Sequence, residues 1–220
     1  GNFRYDVAKL KPYKGNRKKE KPYHYDNVRA FIISRYNAEV WHRMEADDAM
    51  AIVQTYALKT YGDNFTIICS RDKDLKQVPG WHYGWEVGLQ PEFMSQFVEP
   101  LGMLHSKWDI GVSEKTGKET KSLKKMWGTG LRWFYAQVLT GDNTDNIPGL
   151  PKCGGGKALE LLEWCTDEKE MFEAVKGAYQ EVYPEDWKEQ LLEQARLVWM
   201  VRELDEDGNP KMWELPDGCS

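Results

Sequence analysis

Residues 140–151 read TGDNTDNIPGLP. Asp142 and Asp145 lie three residues apart, with Asn143 and Asn146 beside them and Pro148 and Gly149 following. Asp, Asn, Pro and Gly are turn formers and suit a solvated loop. Yet the preceding residues 131–139, LRWFYAQVL, are apolar enough for a buried helix. Such a helix would deliver two carboxylates to the border of a core. What they do there depends on the other acids the chain brings to the same border.

Two further acidic clusters sit at borders of the same kind. Glu45, Asp47 and Asp48 open the segment 43–62, RMEADDAMAIVQTYALKTYG. Its Ala49, Ile52, Val53, Tyr56 and Ala57 predict an apolar helical stripe, closed by Gly62. Asp72 and Asp74 follow FTIICS (65–70), whose β-branched content predicts a short buried strand. Taken singly, acids at a helix start cap it and favour its dipole, and an Asp-x-Asp after a strand suits an ordinary loop. Together they are harder to dismiss, because ligand sites in open α/β sheets gather where strands end. Seven carboxylates meeting there would not all ionise unpaired. Ligation by carboxylates alone favours hard divalent ions, Mg²⁺ or Mn²⁺. Two such ions, about 3.5–4 Å apart, are the usual device for phosphodiester cleavage.

Composition points the same way. The net charge of −5 hides a gradient: residues 1–30 carry a balance of +6, residues 31–159 are neutral and residues 160–220 carry −11. Phe3, Tyr5, Tyr13, Tyr23 and Tyr25 are interleaved with the basic head, a mixture that suits nucleic acid because bases stack while phosphates pair. Residues 147–162, IPGLPKCGGGKALELL, run from a proline–glycine turn through a glycine run into a helix, the pattern of a phosphate cradle built from free backbone N–H groups. Cys69, Cys153, Cys165 and Cys219 show no CxxC spacing, which argues against zinc. No apolar run reaches membrane-span length and no leader is read, so a reduced, cytoplasmic chain is expected.

Periodicity predicts a helix over 26–36 capped by Asp26, a short strand at 39–41, a helix start near Leu75 cut short by Pro79 and Gly80, and a strand and turn at 81–88. Residues 105–130 are polar and read as an exposed hairpin or loop. Helices follow at 131–139, 156–165, 168–182 and 185–203, with a strand or tail over 209–218. Strand–helix alternation before a helical block predicts an α/β core carrying a helical module, divided into residues 1–139 and 140–220.

EADD (45–48), SRDKDL (70–75), GDNTDNIPG (141–149) and GGGKALELL (154–162) together resemble the 5′-nuclease family. That family includes flap endonucleases, the 5′-nuclease domain of bacterial DNA polymerase I, and tailed-phage 5′–3′ exonucleases, to which the chain looks closest. FRYDVAKLKPYKGNR (3–17) is similar to the family segment before its helical arch. The resemblance runs in order through most of residues 3–165. It implies an α/β, PIN-like core with a helix–three-turn–helix module and a helical C-terminal region. It implies Mg²⁺-dependent (or Mn²⁺-dependent) two-metal cleavage of DNA, or of RNA primers in RNA–DNA hybrids, at 5′ ends, flaps or nicks during phage-type replication. Carried over residue by residue, Glu45, Asp47 and Asp72 match one metal site; Asp74, Asp142 and Asp145 match acids around the second, with Asp48 nearby. Lys14 matches the active-site lysine. Tyr13, Arg17, Lys18 and Lys19 lie on the adjoining DNA-binding segment. The family also holds a potassium ion on backbone carbonyls, here within residues 147–156, with Gly154, Gly156 and Lys157 at the phosphate. Two family aspartates belong before Gly1, so a longer gene product or a partner is expected to supply them, in a bacterial or phage-infected cell. Two rivals stand beside this reading: a catalytically deficient binder of branched DNA, and a PIN-like ribonuclease.

Overall fold

The computed structural model describes residues 2–17, 20–89, 92–112 and 117–216. Lys18, Lys19 and Cys219 lie outside them. The elements run α1 (Arg4–Val7), α2 (Tyr25–Tyr36), α3 (Ala46–Tyr61), β1 (Ile67–Cys69), a 3₁₀ turn (Asp74–Gln77), β2 (Gly80–Gly84), β3 (Phe93–Val98), β4 (Leu104–Val112), β5 (Glu119–Gly128), α4 (Gly130–Thr140), α5 (Gly155–Leu162), α6 (Glu168–Val182) and α7 (Trp187–Val198). β1 pairs parallel with β2, and β2 antiparallel with β3, so β1 is an edge of the three-stranded sheet. β4 and β5 form a separate antiparallel ribbon. The architecture is mixed α/β, as its alternation predicted.

The main core is built by α4. Phe134, Tyr135, Val138 and Leu139 bury against Leu150 from the loop after α4, against Ala158, Met171, Phe172 and Leu191 from the helices that follow, and against Trp213. The apolar run 131–139 is therefore a central helix, and the expected boundary at 139/140 falls within one buried cluster. Its exit is fixed by a tight loop. Asp142 and Ile147 exchange backbone hydrogen bonds of 2.9 and 2.8 Å. Gly141 and Gly149 both sit at positive φ, and a Cβ on Gly149 would come within 2.3 Å of the Gly141 nitrogen. Only glycine fits that approach.

A second, smaller cluster joins Ala51, Ile68, Leu75, Val78 and Met200. Between the two clusters lies a buried ion pair. Arg4 and Asp48 are 1% and 0% exposed and bond through both carboxylate oxygens, at 2.6 and 2.8 Å. Arg4 also donates to the Leu197 and Trp199 carbonyls, and the Val201 amide donates to Asp48. The start of the chain, α3 and the end of α7 are thereby tied to one point.

Several expectations are corrected. The α3 stripe is turned: Asp48, Ala51 and Gln54 are buried beside its Ala49 and Ala57, while Val53 and Tyr56 are 49% and 61% exposed. The pull of Arg4 on Asp48, and Gln54 donating to the Pro79 and Trp81 carbonyls, set that rotation. Val53 instead faces a groove of about 1070 Å³ shared with α2 and β1. α2 has no buried residue and no side-chain cap from Asp26. Residues 39–41 form no strand, and the helix near Leu75 is a single 3₁₀ turn. α7 ends at Val198 rather than 203, because the extended chain beyond it brings the Met200 and Val201 amides to Gln77 and Asp48. The hairpin reading of residues 105–130 agrees with the structure, where β4 and β5 pair as antiparallel strands of nine and ten residues. Among the described residues the tail carries an isolated bridge, Leu204 to Pro210, and residues 217–218 lie outside them.

Candidate active site

Three independent elements bring the acids together. Glu45 is the N-cap of α3, and with Asp48 it forms a reciprocal capping box. That fixes Asp47 at the first turn. Asp72 and Asp74 follow the end of β1, where Asp72 accepts the Asp74 amide at 2.9 Å. Asp142 and Asp145 come from the loop after α4. Glu45, Asp47, Asp72, Asp74, Asp142 and Asp145 all line one small pocket of about 100 Å³, together with Tyr13, Lys14, Arg17 and Lys73.

Asp48 stands apart. Its oxygens accept from Arg4, from the Glu45 amide at 3.1 Å and from the Val201 amide at 3.1 Å. Its acceptor capacity is spent on the fold, so it supports Glu45 and Asp47 from behind. Burial opposes the charge of Arg4, but the hydrogen bond and charge of Asp48 outweigh it and hold the guanidinium pKa above its ordinary value.

The basic head closes the pocket. The Lys14 amide donates to the Asp145 carbonyl at 2.8 Å, Asn146 Nδ2 to the Pro12 carbonyl at 2.8 Å, and Asn16 Nδ2 to the Asn143 carbonyl at 2.6 Å. Lys14 bonds Glu45 and lies 3.7 Å from Asp145, which also takes Arg17 at 2.5 Å. The Tyr13 hydroxyl lies 2.9 Å from Asp145 and 3.2 Å from Glu45. Burial, and then those two carboxylates against the opposing charge of Arg4, keep its phenol protonated. On the far side Lys73 bonds Asp142 at 2.6 Å and approaches Asp74 at 3.6 Å. Burial opposes the Lys73 charge, but Asp74 and Asp142 hold its pKa raised. Gln137, from α4, donates to Asp74.

Two acids keep an unresolved charge. Burial first, and then Asp72 and Glu45, push Asp47 from the ordinary 3.8 to about 6. Burial likewise lifts Asp74 to about 6, with Lys73 pulling against it and Asp72 adding to it. Among the described residues no three acids form a ready ligand set: Lys14, Arg17 and Lys73 stand between them. The donor chemistry nevertheless fits a hard divalent ion, since the pocket offers carboxylate oxygens and carries repulsion that a cation would relieve.

Periodicity and resemblance together missed Lys73, Gln137 and Thr144, whose amide caps Asp142 at 2.8 Å. Lys73 was visible as the cation inside RDKD. Gln137 was visible as the one amide in an apolar helix. Gly154, Gly156 and Lys157 lie at the start of α5, with Gly154 as its N-cap and Lys157 exposed.

No family model and no solved structure matches the chain. Two relatives do. DNA polymerase I of Bacillus subtilis (strain 168) is 29% identical over 203 residues, covering 89% of this chain and 20% of that protein. A 5′-3′ exonuclease of Buchnera aphidicola subsp. Baizongia pistaciae (strain Bp) is 33% identical over 121 residues, covering 54% of this chain and 32% of that protein. The chain thus spans about a fifth and a third of these relatives, and its likeness to them supports kinship with 5′–3′ exonucleases.

Proposed function

We propose that the protein is a divalent-metal-dependent 5′–3′ nuclease of the 5′-nuclease type, acting on DNA or on RNA primers at 5′ ends, flaps or nicks in a phage-type replication setting, in the cytoplasm of a bacterial or phage-infected cell. The observation that carries this is the convergence of six acids from three elements in one polar pocket, closed by a lysine from the basic head. Glu45, Asp47 and Asp72 would hold one Mg²⁺ or Mn²⁺ and Asp74, Asp142 and Asp145 the other. Bound ions there would lower the pKa of an attacking water and stabilise charge on the scissile phosphate.

The chain's own groups supply the rest. Lys14 sits where a phosphate could exchange for Glu45 as its partner, so it orients the scissile group. Arg17 lies at the mouth and is half exposed, suited to the next phosphate along. Tyr13 holds Glu45 and Asp145 in place with one hydroxyl. Lys73 substitutes for a cation beside Asp142 and Asp74 and would yield when one binds. Beyond the pocket, residues 140–165, the loop after α4 with α5, would act as the helix–three-turn–helix module. Its first α5 amides, with Lys157, would meet a backbone phosphate, and its carbonyls a potassium ion.

The neutralisation of the acids by Lys14, Arg17 and Lys73 favours a second reading, a binder of branched DNA without cleavage. One assay separates the two. A duplex with a 5′ flap, labelled at its 5′ end, is incubated with Mg²⁺ or with chelator. Both the 220-residue chain and a form extended upstream with its natural sequence are tested. Mg²⁺-dependent release of short 5′ products by the extended form, lost in Asp74→Asn, is expected, with much slower release by the shorter chain. Tight binding without release in either form would establish the binder instead.

A further inference from the structure

The β4–β5 ribbon takes no part in the proposed pocket. Residues 104–128 contain six lysines against three acids. Its outer half is exposed on both faces, with Ile110 and Val112 at 70% and 68%. Two features are hard to explain as structure. Lys107 and Lys125 are direct cross-strand partners, and like charges placed opposite each other destabilise a ribbon. Beside them Trp127 is 41% exposed, stacked on His105 at 5.5 Å, with Lys125 Nζ 5.7 Å from its ring. On the other face Lys121 lies 4.6 Å over Trp108. Asp109 takes Lys124 at 3.2 Å, but among the described residues no carboxylate pairs with Lys107, Lys121 or Lys125. The ribbon base abuts the glycine-rich start of α5: a Cβ on Gly155 would lie 2.8 Å from Leu123, and one on Gly156 4.0 Å from Trp108.

We infer that this ribbon is a second duplex-DNA contact, with Lys107, Lys121 and Lys125 meeting phosphates. The occupant follows from charge and shape. Cations on both faces suit a ligand that presents anions on two sides. A duplex groove does so, and the major groove admits a two-stranded β-ribbon. A single strand would engage one face. The position next to α5 makes the ribbon continuous with the glycine loop, so the inference rests on the proposed function and extends its track along the duplex.

The experiment measures affinity of the full chain for a blunt duplex and for a single strand of equal length, across a salt series. The Lys107→Ala/Lys121→Ala/Lys125→Ala variant is compared with wild type and with the corresponding triple Arg variant, and circular dichroism confirms folding. Each lost phosphate contact should remove about 0.9 from the slope of log affinity against log salt. The triple Ala variant should therefore bind duplex at least about tenfold more weakly, with a slope shallower by about 2–3. The Arg variant should match wild type, and single-strand affinity should change less than twofold. Unchanged duplex affinity and slope, or an equal loss on single strands, would overturn the inference while leaving Mg²⁺-dependent cleavage intact. Loss of duplex binding in the Ala variant, in a protein whose extended form cleaves nothing, would uphold the ribbon and sink the nuclease reading.

Discussion

Replacing Asp47 by Asn should stabilise the metal-free protein while weakening metal binding. Asp47 is half-buried among Asp72, Glu45, Asp48 and Asp74, and its pKa rises from 3.8 to about 6. A raised carboxylate pKa means that the folded state holds its proton more tightly than the unfolded chain does. Below pH 3.8 both states are protonated and the group costs nothing. As the pH climbs through about 6 the folded state must ionise against its neighbours, and the full penalty applies above that. The difference of about 2 pH units, at about 1.4 kcal/mol each, gives about 3 kcal/mol as an upper bound. Solvent screening in a partly open pocket reduces it to about 1–2 kcal/mol. The neutral amide keeps the shape and sheds the penalty, so Asp47→Asn should raise Tm by roughly 2–8 °C at pH 7.5. The gain should shrink at pH 4.5 and vanish near pH 3.5. Differential scanning calorimetry in chelator, followed by the same scans with Mn²⁺, tests this. Mn²⁺ should raise the wild-type Tm and raise the variant's by less. A destabilised variant, or a gain independent of pH, would refute the repulsion argument.

Three further outcomes follow from the fold. Asp48→Asn leaves Arg4 buried without a counter-charge and should cost about 3–5 kcal/mol in urea unfolding; a loss below about 1 kcal/mol would mean the pair is not buried in solution. Gly149→Ala meets both a positive φ and the Gly141 nitrogen, and should cost at least about 2 kcal/mol by the same assay. Arg17 is half exposed and its pair with Asp145 is open to salt. Arg17→Ala should therefore leave Tm within about 1 °C, yet weaken duplex binding severalfold in a fluorescence-anisotropy titration.

Much of this was legible in the residues. The glycine and aspartate spacing of 140–151 specified a tight loop because Gly141 and Gly149 admit an approach that nothing else does. The position of acids at the ends of apolar segments was enough to place six of them in one pocket. Asp48 could not be told apart from Asp47, because its partner Arg4 lies 44 residues away, and no local pattern encodes that pairing. The same ion pair turned α3, so only Ala49 and Ala57 of the stripe read from periodicity are buried, while Val53 and Tyr56 are exposed. The lengths of β4 and β5 were hidden because a ribbon exposed on both faces lacks the alternation that marks a half-buried strand. Lys73 was passed over because a lysine between two aspartates reads as an ordinary loop charge until Asp142 arrives from 69 residues on.

The central claim is that Asp72 holds one divalent ion with Glu45 and Asp47 at the start of α3, and that Asp74 holds a second with Asp142 and Asp145 from the loop after α4. Isothermal titration of Mn²⁺ into the metal-free protein at pH 7.5 tests it most directly, with Asp72→Asn, Asp74→Asn and Arg17→Ala run alongside. The account predicts saturable binding that Mg²⁺ competes for, weakened at least about tenfold in each Asn variant and not weakened in Arg17→Ala. Binding that survives intact in both Asn variants would contradict it.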